Sequence, residues 1–207
     1  MLMTCVEVDR LHPSTRQALS DCCDMHRNVM RLFASSEDRL CRTDEKILYR
    51  VVMQNNAVHL YITSKSAPDL SAASWLKKEH CRQQDLQRLL EGFSAGQVFS
   101  FDLLAHPSKK QKQSNGNSKR VFLRAAEERA AWLARQGEKC GFRVTGLYEE
   151  EPYDMHGKRS TGTMKLRVVR MKGQLQVVEA EKFAAAYQNG IGPEKSYGLG
   201  MLLLGRG

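Results

Sequence analysis

Lys46-Ile-Leu-Tyr-Arg-Val-Val-Met-Gln-Asn-Asn-Ala-Val-His-Leu-Tyr-Ile-Thr63 holds two runs of β-branched, aromatic and aliphatic residues joined by Gln54-Asn55-Asn56. Asparagine tolerates the left-handed backbone of a tight turn, so the stretch predicts a β-hairpin with strands over residues 46–53 and 57–63. Upstream, residues 3–9 predict a short strand that includes Cys5 and Val8. Ser14-Thr-Arg-Gln17 then has the form of a capping box and predicts one helix running to about Phe33. Its apolar positions Leu19, Cys22, Met25, Val29, Leu32 and Phe33 recur at helical spacing and give one buried face. Strand, helix, strand, strand is most of a ferredoxin-like β-α-β-β-α-β unit.

Residues 64–94 are weakly patterned, with Pro68, Trp75, the basic pair Lys77-Lys78, and a run at 86–90 that suits a strand or a helical turn. The small residues of 92–96 mark the best domain boundary, because a new strand is predicted at 97–105 and the order starts again. A polar loop (108–119), a helix (122–136), strands at 143–149, 163–169 and 174–178, and a helix at 180–187 follow. A Gly-rich loop and a last apolar strand end the series. The expected fold is α+β: tandem ferredoxin-like (RRM-like) domains with antiparallel sheets, divided as 1–94 and 95–207. No internal sequence repeat supports the pairing, so it rests on element order alone.

The composition is that of a globular chain, with 42% hydrophobic and 27% charged residues, and no apolar run is long enough to span a bilayer. Residues 1–9 have neither a basic segment nor a long apolar one, so no secretory signal and no membrane partner is expected. The six cysteines (Cys5, Cys22, Cys23, Cys41, Cys81, Cys140) include no C-x-x-C pair and no histidine at metal spacing. They read as reduced thiols of a cytoplasmic protein without structural zinc, and no cofactor is expected.

The net charge of +9 points to an anionic partner. Residues 109–120 carry Lys109, Lys110, Lys112, Lys119 and Arg120 with no acid, and residues 156–172 carry Lys158, Arg159, Lys165, Arg167, Arg170 and Lys172 with no acid. A solvated charge run explains one such segment; two in the same half suggest a nucleic-acid surface. Gly157-Lys-Arg-Ser160 is expected at a protruding hairpin tip that could enter a groove. His26 sits on the first helix with Arg27 and Arg31 close in sequence. An imidazole can take a proton from a ribose 2′-hydroxyl near neutral pH, and those cations could stabilise a pentacoordinate phosphorane. A half-buried helix histidine with a hydrogen-bonding neighbour satisfies the same pattern. Gly190-Ile-Gly-Pro-Glu-Lys-Ser-Tyr-Gly-Leu-Gly200 suits a phosphate cradle using Lys195, Gly198 and Gly200, or simply a Gly-rich turn. Glu149-Glu150-Glu151 and Asp154 suit a solvated loop or internal counter-charge better than a metal site. The P-loop, zincin and nucleophile-elbow motifs are absent from the sequence.

Four stretches resemble the type I-E CRISPR-associated endoribonucleases, the CasE subunits of Cascade: Asp24-Met-His-Arg-Asn-Val-Met-Arg-Leu-Phe33, Phe99-Ser-Phe-Asp-Leu-Leu-Ala-His-Pro107, Lys119-Arg120 leading to Trp132-Leu133, and the stretch from Gly190. The resemblance implies a metal-independent enzyme that binds the CRISPR repeat RNA hairpin and cuts pre-crRNA at its 3′ base. It further implies attack by the 2′-hydroxyl, a 2′,3′-cyclic phosphate, and product retention with other Cascade subunits. His26 matches the family's catalytic histidine. Cys23 stands where the family often has a tyrosine, and Asp102-Leu-Leu-Ala-His-Pro107 stands where it usually reads R-L-R-A-N-P. The second change shifts part of the expected RNA contact to Lys109 and Lys110. A non-catalytic RNA-binding subunit is the rival reading, and a mononucleotide-binding enzyme a weaker third.

Overall fold

The predicted hairpin forms around Asn55 and Asn56, whose φ values of 50° and 61° make the two-residue turn that matches the twist of paired strands. The protein is seen here in a computed structural model that describes residues 1–33, 44–112 and 116–206, so Cys41 lies outside the described residues. The hairpin strands β2 (Leu48–Gln54) and β3 (Ala57–Ser64) join β1 (Leu2–Val8) and β4 (Leu76–Asp85) in an antiparallel sheet of order β2-β3-β1-β4. Alternate residues Val6, Val8, Leu60 and Ile62 are nearly inaccessible to solvent. Each such side chain contributes about 1.5–3 kcal/mol on burial.

The single helix expected over 14–33 is two, α1 (Pro13–Ser20) and α2 (Cys22–Arg31). Asp21 interrupts it in an extended conformation, and its Oδ1 accepts the Cys23 and Asp24 N–H groups at 2.9 and 3.0 Å. That side chain satisfies the N–H groups that a continuing helix would have bonded to carbonyls, so a new helix starts there. α1 is capped by His12, whose Nδ1 accepts the Ser14 N–H, with Pro13 in the first turn; the Ser14 capping box is not used. The break also turns Leu19 outward while Ala18 is buried. Met25, Val29, Leu32 and Phe33 pack against the first sheet as their spacing predicts.

The second crossover of this half is only a 3₁₀ turn at Leu70–Ala72. α3 (Gln87–Glu91) follows β4 instead, and Leu86, Leu90 and Phe93 pack into the core of the second sheet. That sheet has the order β11-β5-β10-β8, from β5 (Val98–Ala105), β8 (Phe142–Glu149), β10 (Gly162–Val177) and β11 (Leu202–Arg206), with β9 (Tyr153–Arg159) paired to the first half of β10. Counted within each half, both sheets run fourth, first, third, second with antiparallel neighbours. The fold is therefore the tandem ferredoxin-like arrangement.

Three second-half expectations are corrected. The supposed polar loop is a hairpin, β6 (Ser108–Lys112) with β7 (Ser118–Phe122), whose residues 113–115 lie outside the described ones. Because β7 takes Val121 and Phe122, α4 (Ala126–Cys140) begins four residues later than expected. Two expected strands are the single 16-residue β10. α5 (Ala180–Asn189) and a 3₁₀ turn at Lys195–Tyr197 complete the chain before β11.

Candidate active site and RNA interface

α2 presents His26, half-buried, towards the turn of the Gly-rich loop and Tyr49 of β2. Its imidazole lies 6.5 Å from the Tyr49 ring, with planes 18° apart, and 6.4 Å from the Tyr197 ring, which meets it edge-on at 69°. Tyr49 is fixed by burial and by its hydroxyl, which donates to the Ser196 carbonyl at 2.8 Å. Tyr197 is held from the other side: an Arg159 Nη2 N–H donates to its phenol oxygen, and the guanidinium carbon is 5.4 Å from its ring centroid. The Tyr197 contact, with a smaller contribution from Cys23, raises the Arg159 pKa. Sequence reasoning treated Tyr49 as a strand residue and passed over Tyr197. The available signal was that Tyr197 is the single aromatic among the loop's glycines.

Arg159 reaches this position because β9 is clamped to the start of α2. The Lys158 N–H donates to Asp21 Oδ2 at 3.0 Å, and a Cβ on Gly157 would lie 2.6 Å from Cys23 Sγ. The Cys22 thiol beside it is pushed up to about 12 by burial and then by Cys23. Gly157–Arg159 is thus strand packed on a helix, not the free hairpin tip expected; the turn itself falls at Ser160-Thr161. Arg27 and Arg31 are exposed on other faces of α2, paired with Asp24 at 3.0 Å and hydrogen-bonded to Asn28 at 3.3 Å. Neighbours at i+1 and i+5 do not share a face with His26.

The glycines of the loop serve close packing. A Cβ on Gly192 would meet Trp132 at 2.9 Å, one on Gly198 would meet Tyr49 at 3.0 Å, and one on Gly200 would meet the Ile191 carbonyl at 2.5 Å. Gly198 and Gly200 are buried. Lys195 lies near α4, where its charge opposes the rise that burial imposes on the Cys140 thiol.

The two basic segments differ in space. Lys109, Lys110, Lys112, Lys119 and Arg120 are all exposed on the β6–β7 hairpin. Lys110 faces Arg120 directly across the strands, a like-charge juxtaposition that costs free energy until an anion relieves it. Lys109 meets Glu128 of α4 at 3.3 Å, so Lys110, Lys112 and Arg120 occupy the opposite face. The second segment lacks acids in sequence but not in the fold. Asp154 pairs with Lys165 at 3.1 Å and Arg167 at 3.2 Å, Asp102 with Arg170, and Glu150 with Lys172. The acidic run is therefore internal counter-charge, and these cations are partly neutralised. Arg124, not anticipated from sequence, is exposed at a groove of about 580 Å³ shared with Phe122, Lys165 and Arg167. A second cleft of about 450 Å³ opens beside Tyr49 and Tyr197 and reaches Met25, Tyr153 and His156. Among the described residues no group of His, Cys, Asp and Glu is placed to hold a metal ion, and no helix is long and apolar enough to cross a membrane.

The chain is 25% identical to the CRISPR-associated endoribonuclease Cse3 of Thermus thermophilus over 93% of its length and 95% of that protein's. It is 28% identical to the CRISPR system Cascade subunit CasE of Escherichia coli K12, over 89% of this chain and 92% of that one. Thermus thermophilus Cse3 bound to an RNA representing a pre-cleavage complex superposes with a TM-score of 0.81 at 24% identity, covering 99% of this chain and 98% of that one. Cas6e of Escherichia coli K-12 gives 0.68 at 24% identity over the whole of both chains. A profile described as "CRISPR associated protein" matches residues 1–206, and the chain belongs to that family, with Cse3 and CasE proteins among its relatives, as the four quoted stretches anticipate.

Proposed function

We propose that this chain is a metal-independent endoribonuclease that binds the CRISPR repeat hairpin and cleaves pre-crRNA at its 3′ base. The observation that carries this reading is His26: a half-buried imidazole held among Tyr49, Tyr197 and, through Tyr197, a cation, on the same molecule as an exposed basic hairpin. In the reaction His26 takes the 2′-hydroxyl proton as that oxygen attacks the adjacent phosphorus. The bond from phosphorus to the 5′-oxygen breaks, and that oxygen leaves with the proton that the His26 imidazolium returns to it. A 2′,3′-cyclic phosphate and a 5′-hydroxyl result. An imidazole suits both proton transfers because its ordinary pKa lies near neutral pH.

The RNA stem lies along the β6–β7 hairpin, gripped by Lys109, Lys110, Lys112, Lys119 and Arg120, with the exposed Lys158 as a further contact and Lys165, Arg167 and Arg170 as weaker ones where their carboxylates permit. Arg27 and Arg31, exposed on other faces of α2, contact backbone phosphates away from the scissile one. Lys195, Gly198 and Gly200 support the loop that carries Tyr197. The product stays bound to this chain, which holds it together with other Cascade subunits, and residues 1–94 and 95–207 act as the two domains, with α3 of the first packed on the core of the second. Cys23, in the place where the resemblance implies a tyrosine, favours a second reading, a non-catalytic RNA-binding subunit.

Incubation with repeat RNA in EDTA separates the two. The enzyme gives one discrete product ending in a cyclic phosphate, and His26→Ala abolishes it while repeat affinity changes less than about threefold, as loss of a group used mainly in the transition state requires. A stable uncut wild-type complex would establish the second reading.

A further inference from the structure

Arg27 and Arg31 are turned away from His26, so the charge that builds on phosphorus needs another cation close to the imidazole. Arg159 is so placed: Tyr197 bridges the two, with its ring edge-on to His26 and its phenol oxygen accepting from Arg159 Nη2. Arg159 remains exposed, and Nη2 makes its contacts to Tyr197 and to Met164 Sδ. A guanidinium offers five donors, so the Nε and Nη1 sides can reach phosphate oxygens while Nη2 is anchored. The main chain fixes the same geometry. Gly198 follows Tyr197 in the left-handed region at φ +78°, seated on Tyr49, while Asp21 ties the strand bearing Arg159 to α2.

Resting on the endoribonuclease reading, we infer that Tyr197 is a positioning residue for RNA cleavage: its phenol anchors Arg159 beside His26 so that the guanidinium meets the developing phosphorane charge. A preorganised cation costs no reorganisation when that charge appears, which makes it worth more in the transition state than in the bound ground state. An exposed arginine without the anchor would sample many rotamers and lose that advantage.

Single-turnover cleavage at saturating repeat RNA tests this with Tyr197→Phe, Arg159→Met, the double variant and Arg159→Lys. Affinity is measured in parallel on RNA carrying a 2′-deoxy group at the scissile position, and stability by thermal unfolding. Tyr197→Phe is expected to slow cleavage about ten- to hundredfold, the range carried by one hydrogen bond to a charged group. Affinity and unfolding midpoint should stay at wild-type values. Arg159→Met should be at least as slow, Arg159→Lys should recover part of the rate, and the double variant should be no slower than Arg159→Met, since the phenol acts through the guanidinium. A wild-type rate for Tyr197→Phe, multiplicative effects in the double variant, or a rate loss matched by a loss of affinity or stability would each overturn the inference. Wild-type protein that binds the repeat and does not cut it would instead overturn the endoribonuclease reading, and this inference with it.

Discussion

Gly200 has φ +80° and lies so close to Ile191 that an added Cβ would sit 2.5 Å from the Ile191 carbonyl oxygen. Gly116 has the same φ, but an added Cβ there would meet no atom within 4 Å among the described residues. Alanine at either position carries the cost of the left-handed region, about 1–2 kcal/mol. Only at Gly200 must backbone also move, so Gly200→Ala should destabilise by about 2 kcal/mol more than Gly116→Ala, within the range for over-packed sites. Denaturant midpoints of the two variants check this, and equal losses would mean that crowding contributes nothing. The same scale explains what the sequence made legible around the site. His26 is recognisable because imidazole chemistry is particular and its helix has a clear apolar face. Tyr197 and Arg159 are 38 residues apart, and nothing local links a loop tyrosine to a strand arginine.

Elements were legible where one face alternates or repeats cleanly. β3 and α2 do so, because each buries one face and exposes the other, whereas β2, with Leu48, Tyr49 and Arg50 all buried, is legible from its run of β-branched and aromatic residues and the turn that follows it. β4 does not: of Leu76–Asp85 only Leu76 is buried, since this edge strand leaves most of its side chains in water. The β6–β7 hairpin was hidden for the same reason, its residues from Lys109 to Arg120 being exposed wherever they are described. Such an edge-like, highly charged ribbon has little intrinsic pairing advantage, and the Lys110–Arg120 juxtaposition works against it. Changing both residues to alanine should therefore leave stability unchanged or slightly higher, while weakening repeat RNA binding. If each cation neutralises one phosphate of a duplex, the slope of log affinity against log salt should shrink by about 0.9 per contact, or about 1.8 for the pair. Titrations between low and moderate salt measure it. An unchanged slope would remove this face of the hairpin from the RNA interface.

At the scale of the whole molecule, the two sheets are tied by an ion network that the sequence could not reveal. Arg50 of β2 is almost fully buried and donates to the carboxylate of Asp102 on β5 at 2.5 Å and to its carbonyl at 2.8 Å. Arg170 approaches the same carboxylate from β10 and continues to Glu150, which also holds Lys172. In sequence, Asp102 reads only as the loss of an arginine from a basic strand; in the fold it is the counter-ion of a buried guanidinium from the other sheet. Burial pushes the Asp102 carboxyl up, but the hydrogen bonds and charges of Arg170 and Arg50 outweigh it and hold the pKa below its ordinary value of 3.8. Removing one partner of a buried pair leaves the other charge uncompensated, so Asp102→Ala should cost about 3–5 kcal/mol, and Arg50→Met with Asp102→Leu should recover most of it. The depressed pKa also fixes the pH dependence. Between the folded and unfolded values the unfolded chain binds the extra proton, so this contribution is complete above 3.8 and is lost as pH falls through the lower folded value. Denaturant midpoints followed from pH 6 to the acid limit should fall more steeply for wild type than for the Arg50→Met, Asp102→Leu protein. Parallel curves would place the acid sensitivity elsewhere and remove this network as the main tie between the sheets.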